Sequence, residues 1–83
     1  MFIVYILQSL KNGRYYVGHT NDIERRLSQH NNGSSEYTKK YIPWKLVYTE
    51  KYNTKTEAIR RELEIKKYKS GIKFKRLLGL FYD

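Results

Sequence analysis

Residues 2–8, FIVYILQ, form a near-continuous apolar run. Its length and β-branched content predict a strand buried on both faces. Lys11-Asn12-Gly13 follows as a hairpin signal, because Asn-Gly readily takes positive φ, and a second strand is expected from Arg14 to Thr20, RYYVGHT. The hydrophobic period then changes. Asn21, with Glu24 three residues on, reads as a capping box. It opens a helix with Ile23 and Leu27 on its inward face, stopped by Asn31-Asn32-Gly33 after about His30. Residues 31–43 form a polar loop closed by Pro43, and loops of this length are often functional. WKLVYTEKY, 44–52, alternates as a third strand. Thr54 with Glu57 makes a second capping box, whose helix runs to about Lys69 and ends at Ser70-Gly71. Ile72, Phe74, Leu77, Leu78 and Phe81 recur at helical spacing and predict a short third helix. The order ββαβαα implies one α+β domain over residues 1–83, an antiparallel sheet with helices packed against it.

Charge changes the picture more than size does. The 83 residues carry 17 Lys and Arg against 8 Asp and Glu, a net +9. A small domain this basic points to a polyanionic partner, above all nucleic acid. The nine tyrosines add weight to that, because aromatic rings stack on bases. There is no cysteine, so disulfides and thiolate zinc sites are excluded, and the expected setting is a reducing cytoplasm. No apolar run approaches the roughly 20 residues of a membrane span.

Some polar residues fall where burial alone would not put them. On the second helix, Ala58, Ile59, Leu63 and Ile65 are expected to form the apolar stripe, with Glu62 near its middle. A carboxylate aimed at a core is costly unless paired. Either Glu62 forms an ordinary ion pair with Lys66, four residues on, or it is functional. On the first helix Arg26 and His30 lie beside the inward face, four apart. Arg26 could instead be a snorkelling edge residue, and His30 a last-turn residue serving the helix dipole. In the hairpin, an even number of loop residues puts Tyr5, Tyr16, Gly18 and Thr20 on one face. The missing side chain at Gly18 is then expected to leave an open floor beside two phenols, with His19 at the edge or on the other face. The plain alternative is half-buried strand tyrosines and a bulge. Taken as a set, one carboxylate, one arginine, one histidine and two tyrosines on a basic domain suit metal-assisted phosphodiester cleavage. A lone Glu can anchor Mg²⁺, which keeps most of its waters. Arginine's fork of donors suits a phosphate.

The same residues resemble the GIY-YIG nuclease family. IVY at 3–5 resembles the first motif, lacking its glycine, and YVG at 16–18 resembles the second. DIERRLSQH at 22–30 resembles the family's helix, with the functional arginine falling on Arg26 and the following aromatic or histidine on His30. His19 sits where many members carry lysine or histidine. AIRRELEIKKYKSG at 58–71 resembles the segment bearing the metal-binding glutamate, which falls on Glu62. The likeness is greatest to small single-domain bacterial members, similar to the nuclease module of the excision-repair incision subunit.

The resemblance implies a three-stranded antiparallel sheet flanked by helices. It also implies Mg²⁺- or Mn²⁺-dependent hydrolysis of one DNA strand, structure-directed or weakly specific, in repair or recombination. The expected catalytic set is Tyr5, Tyr16, Arg26, His30 and Glu62, with Glu62 the metal ligand. Gly18, His19, Lys39, Lys40, Lys66 and Lys67 are expected to meet the substrate. The expected partner is DNA, without a membrane, and the oligomeric state is left open with a monomer allowed. Two other readings stand beside this one. One is a non-catalytic nucleic-acid-binding module. The other is a protein-interaction domain using the tail around Leu78 and Phe81.

Overall fold

The apolar run becomes the middle strand of a sheet. The computed structural model describes residues 1–68 and 71–79. Its strands are β1 (Phe2–Ser9), β2 (Tyr15–Thr20) and β3 (Trp44–Tyr52), and its helices are α1 (Ile23–Asn31), α2 (Lys55–Lys67) and α3 (Ile72–Leu77). The sheet order is β2-β1-β3, with both pairings antiparallel. Val4 to Leu7 are buried because helices or loops cover both faces of β1. This is the expected ββαβαα, α+β arrangement.

The two faces bury different cores. Val4, Ile6 and Val17 pack with Ala58, Ile65 and Phe74 under α2 and α3. Tyr5, Leu7 and Trp44 pack with Ile3, Tyr16, Ile23, Leu27, Tyr41 and Ile42 under α1 and the loop. Leu78 packs partly buried against the first core, which weakens the case for an exposed tail patch; Phe81 lies outside the described residues.

The hairpin register fixes everything at the β2 edge. Ser9 N donates to Arg14 O at 2.8 Å, so the loop is Leu10–Gly13, an even count, and Gly13 takes φ of 78°. Leu7 then faces Tyr16 and Tyr5 faces Gly18. A bulge between Ile6 and Leu7 shifts the pairing with β3.

Three expectations need correction. The cap of α1 is Asp22, whose side chain accepts from Arg25 N at 3.1 Å, not Asn21. Thr20 Oγ1 accepts from Asp22 N at 3.1 Å, and this turn delays the helix by one residue. Glu24 therefore acts only through its first-turn charge. On α2 the capping box of Thr54 and Glu57 is present, but the inward stripe is Ala58 and Ile65. Ile59 and Leu63 are 37% and 53% exposed, because the helix is rotated to turn Arg61 and Glu62 toward the sheet's two edges. The loop is not wholly polar. Thr38 is fully buried, and a 3₁₀ turn, Lys39–Tyr41, follows it. The expected end of α2 at Lys69 and Ser70 lies outside the described residues.

Candidate active site

Tyr5 belongs to the middle strand, so its phenol must cross β2 to reach the sheet's edge. Gly18 is the position that admits it. A Cβ there would lie 2.7 Å from the Tyr5 hydroxyl, 2.9 Å from Cζ and 3.1 Å from Tyr16 Cε2. Real Cβ atoms do not approach so closely. The expected open floor is thus absent: the space that glycine leaves is filled by the Tyr5 ring. Gly18 shapes the site by letting a core tyrosine through.

Around that phenol the structure gathers three more of the expected residues, Tyr16, Arg26 and His30. The Tyr5 and Tyr16 rings lie 6.3 Å apart, centroid to centroid, and Tyr16 lies 4.9 Å from the His30 ring. Tyr5 Oη and His30 Nε2 are hydrogen-bonded at 2.9 Å. Arg26 donates to Gln29 Oε1 at 3.1 Å, and its charge acts on both phenols. Burial pushes the Tyr5 phenol up to about 12 against the opposing pull of Arg26. Burial would lower the Arg26 pKa, but the two phenols overcome this and raise it.

His30 is not the dipole-serving histidine that its last-turn position suggests. It is completely buried, and burial, reinforced by the Arg26 charge, pushes its pKa down to about 4. A neutral imidazole at pH 7 offers one donor and one acceptor. Its Nδ1 lies 2.7 Å from Thr38 Oγ1, so the ring bridges Tyr5 to the loop.

Glu62 approaches from the opposite face of the sheet. His19 points to that face and hydrogen-bonds through Nδ1 to Glu62 Oε1 at 2.6 Å. Lys66 Nζ donates to Oε2 at 2.7 Å, so the ordinary ion pair is also present. The Glu62 charge contributes to the upward push on the Tyr5 phenol. The hydrogen-bond partners of the carboxylate, His19 and Lys66, stand on the α2 side of β2, across the edge strand from the phenols. Lys39 pairs with Glu36 at 3.1 Å, and the backbone carbonyl of exposed Lys40 accepts from Lys11 Nζ at 3.2 Å. Both lie on the 3₁₀ turn directly after Thr38. Lys67 is exposed on the last turn of α2.

The donors present limit what ion could be held. No cluster of three or more His, Cys, Asp or Glu side chains is gathered for an ion among the described residues. A single carboxylate fits Mg²⁺ or Mn²⁺ retaining water and taking substrate oxygens, and does not fit an all-protein cage. Lys66 is half-exposed at its side chain, so the cation now on Oε2 is replaceable.

Two positions escaped the sequence reading. Thr38 sits in a stretch, EYTKKY, that looks uniformly polar. Asn31 reads as a helix stop, yet its side chain accepts from Trp44 N at 2.6 Å and donates to Trp44 O at 3.0 Å. It ties the end of α1 to the start of β3. Trp44 Nε1 in turn donates to Thr38 O at 2.8 Å, holding the threonine under His30. The spacing of Asn31, Thr38 and Trp44 carries no periodic signal.

Comparisons with known proteins give the family and the fold. Residues 1–75 match the model of the GIY-YIG catalytic domain. A UPF0213 protein of Staphylococcus saprophyticus is 45% identical over 73 residues, covering 87% of this chain and 88% of that protein. One from Halobacterium salinarum is 42% identical over 67 residues, 80% and 86% of the two chains. The solution NMR structure of the UPF0213 protein BH0048 from Bacillus halodurans superposes with a TM-score of 0.59 at 39% identity, covering 96% of this chain and 85% of that one. Sheet, motif tyrosines and sequence similarity converge: this chain belongs to the GIY-YIG family, whose catalytic domain is a nuclease fold with nucleic acid as its implied substrate.

Proposed function

We propose that this chain is a divalent-metal-dependent DNA endonuclease, acting as one domain over residues 1–83 on structured or weakly specified sites. The observation that carries the reading is that Tyr5, Tyr16 and His30 cluster over Gly18 on one side of β2 while His19, the next residue, holds Glu62 on the other. Glu62 would hold Mg²⁺ or Mn²⁺ once Lys66 yields its oxygen. The ion would polarise the scissile phosphate and stabilise the charge developing there. Arg26 is placed to grip a phosphate oxygen and to offset the charge of a phenolate. Tyr16 is less buried than Tyr5 and is the phenol available to orient the attacking water, with Tyr5 and neutral His30 behind it. His19 holds one oxygen of Glu62 and fixes the carboxylate's orientation. Lys39, Lys40, Lys66 and Lys67 supply sequence-blind phosphate contacts. A cytoplasmic repair or recombination role belongs to the same proposal.

Plasmid nicking with Mg²⁺ or Mn²⁺ tests it. Wild type should nick and Glu62→Ala should not; equal nicking by both would remove the metal role. One observation favours a second reading, a binding module without turnover: both oxygens of Glu62 are already engaged. That module would bind DNA with a strong salt dependence and show no metal-dependent cleavage at any protein concentration.

A further inference from the structure

Tyr5, His30 and Thr38 form a buried chain of three groups joined by two hydrogen bonds, of 2.9 and 2.7 Å. With His30 neutral, the chain holds three mobile protons: the phenol's, one on the imidazole and the threonine hydroxyl's. Two bonds use two of them. One donor is left over, and it stands at one end of the chain or the other.

The two ends are not equivalent. Thr38 has no exposed surface, and its hydroxyl has no other hydrogen-bond partner among the described residues. Its carbonyl is taken by Trp44 Nε1. A leftover proton there would be a buried donor without an acceptor, an arrangement native structures avoid. At the other end the Tyr5 side chain is buried too, but its hydroxyl lies over Gly18 on the edge strand, with the less buried Tyr16 ring beside it. A leftover proton there is on the side of the Tyr16 phenol, whose oxygen can accept.

We infer that Thr38 is a positioning residue that fixes the tautomer of His30. Its hydroxyl donates to Nδ1, so the imidazole carries its proton on Nε2 and donates it to the Tyr5 oxygen. The phenol's own proton is thereby directed outward, to the reaction side. When that proton passes to a solvent water, the phenolate keeps a donor in His30 Nε2–H, and the Arg26 charge offsets its own. His30 in this arrangement assists Tyr5 as a donor and does not accept its proton. This deepens the nuclease proposal, but the arrangement of protons stands independently of it.

The test is therefore run first without DNA or metal. In ¹⁵N-labelled His19→Gln protein, His30 is the sole histidine, and long-range ¹H–¹⁵N correlation distinguishes its protonated nitrogen. The expected result is a bare Nδ1 and a protonated Nε2 near neutral pH; a protonated Nδ1 overturns the inference. Thr38→Val removes the hydroxyl and keeps the shape, and should shift the ring toward the Nδ1–H form, whereas Thr38→Ser should not. Should Thr38→Val fail to fold, the wild-type ring and Thr38→Ser still decide the matter. In the nicking assay Thr38→Val should lower kcat about tenfold with KM unchanged, and Thr38→Ser should restore it. Loss of KM alone, or no rescue by serine, would overturn the positioning role. Failure of nicking by the wild type would remove the nuclease reading and leave the tautomer result standing.

Discussion

Arg61 and Glu62 are neighbours on one helix, and they build opposite kinds of site. A step of about 100° along α2 sends Arg61 to the β3 side of the sheet and Glu62 to the β2 side. Arg61 meets Glu50 with two bonds, at 2.8 and 3.0 Å, and also bonds Glu64 and Tyr68. Tyr48 and Tyr52 donate to the same Glu50. Burial opposes the Glu50 charge, but Arg61 and the two tyrosines hold its pKa down to about 2. Every donor there has a local acceptor, and the network joins helix to strand. Glu62 has two partners. One is a partly exposed histidine and the other a half-exposed lysine. The difference separates a saturated ion pair from an exchangeable one. The first closes its charge in a full set of donors; the second shares its carboxylate with two partly exposed cationic or imidazole groups.

The comparison breaks most sharply by mutation. Glu62→Ala should lower metal-dependent nicking by about 10³-fold or more while stability changes by less than about 1 kcal/mol. Glu50→Ala should do the reverse. It removes two bonds of a largely buried guanidinium and the acceptor of two tyrosines, and should cost about 3 kcal/mol and lower Tm by on the order of 10 °C, with nicking retained at low temperature. Thermal melts and nicking rates of both variants check the pair, and loss of both properties by either one would merge the two regions.

Acid should separate the two ends by pH window. The folded pKa of His30 is depressed to about 4 from a usual 6.5. Above pH 6.5 the ring is neutral in both folded and unfolded chains and contributes no pH dependence. As pH falls below that, the unfolded chain binds the proton first, so stability drops until the folded pKa is reached. The loss should be about 2 kcal/mol between pH 7 and pH 5, read by urea unfolding. Glu50 begins to cost stability only below its ordinary value near 4.5. His30→Gln should flatten the upper window and leave the lower one.

Gly18→Ala should force the Tyr5 ring aside, costing roughly 1–3 kcal/mol and lowering nicking by more than tenfold. Near-wild-type activity in that variant would mean that the phenol's placement is unimportant. The smallest expected effect is at the loop. Lys39→Ala and Lys40→Ala should each weaken DNA binding only a few-fold and lower the salt slope of binding by about one.

Much of this was legible in the sequence. The apolar run, the Asn-Gly turn and the Thr54–Glu57 box are local signals with local causes, and they place β1, β2 and α2. Tyr5, Tyr16, Arg26 and His30 were within reach because strand and helix periods put them on shared faces. What the sequence misplaced depends on contacts made at a distance. Gly18 was read as a gap because nothing in RYYVGHT says which ring will fill it. The stripe of α2 was turned toward Ile59 and Leu63 because the pull of Glu50 on Arg61 and of His19 on Glu62 comes from strands 11 and 43 residues away. Thr38 was invisible because its burial is set by Trp44 and His30, not by its neighbours.

The register that seats Tyr5 opposite Gly18 also bears on motion. Local opening events begin at edges and loops, where few contacts must be broken, and reach central strands last. Tyr5 hangs from the strand that both neighbours protect, while Gly18, His19, Glu62 and the 31–43 loop belong to the periphery. Opening at that edge would leave the phenol in position. Amide exchange should be slower at Val4 to Leu7 than along β2, so that the Tyr5 phenol is carried by a strand protected on both sides.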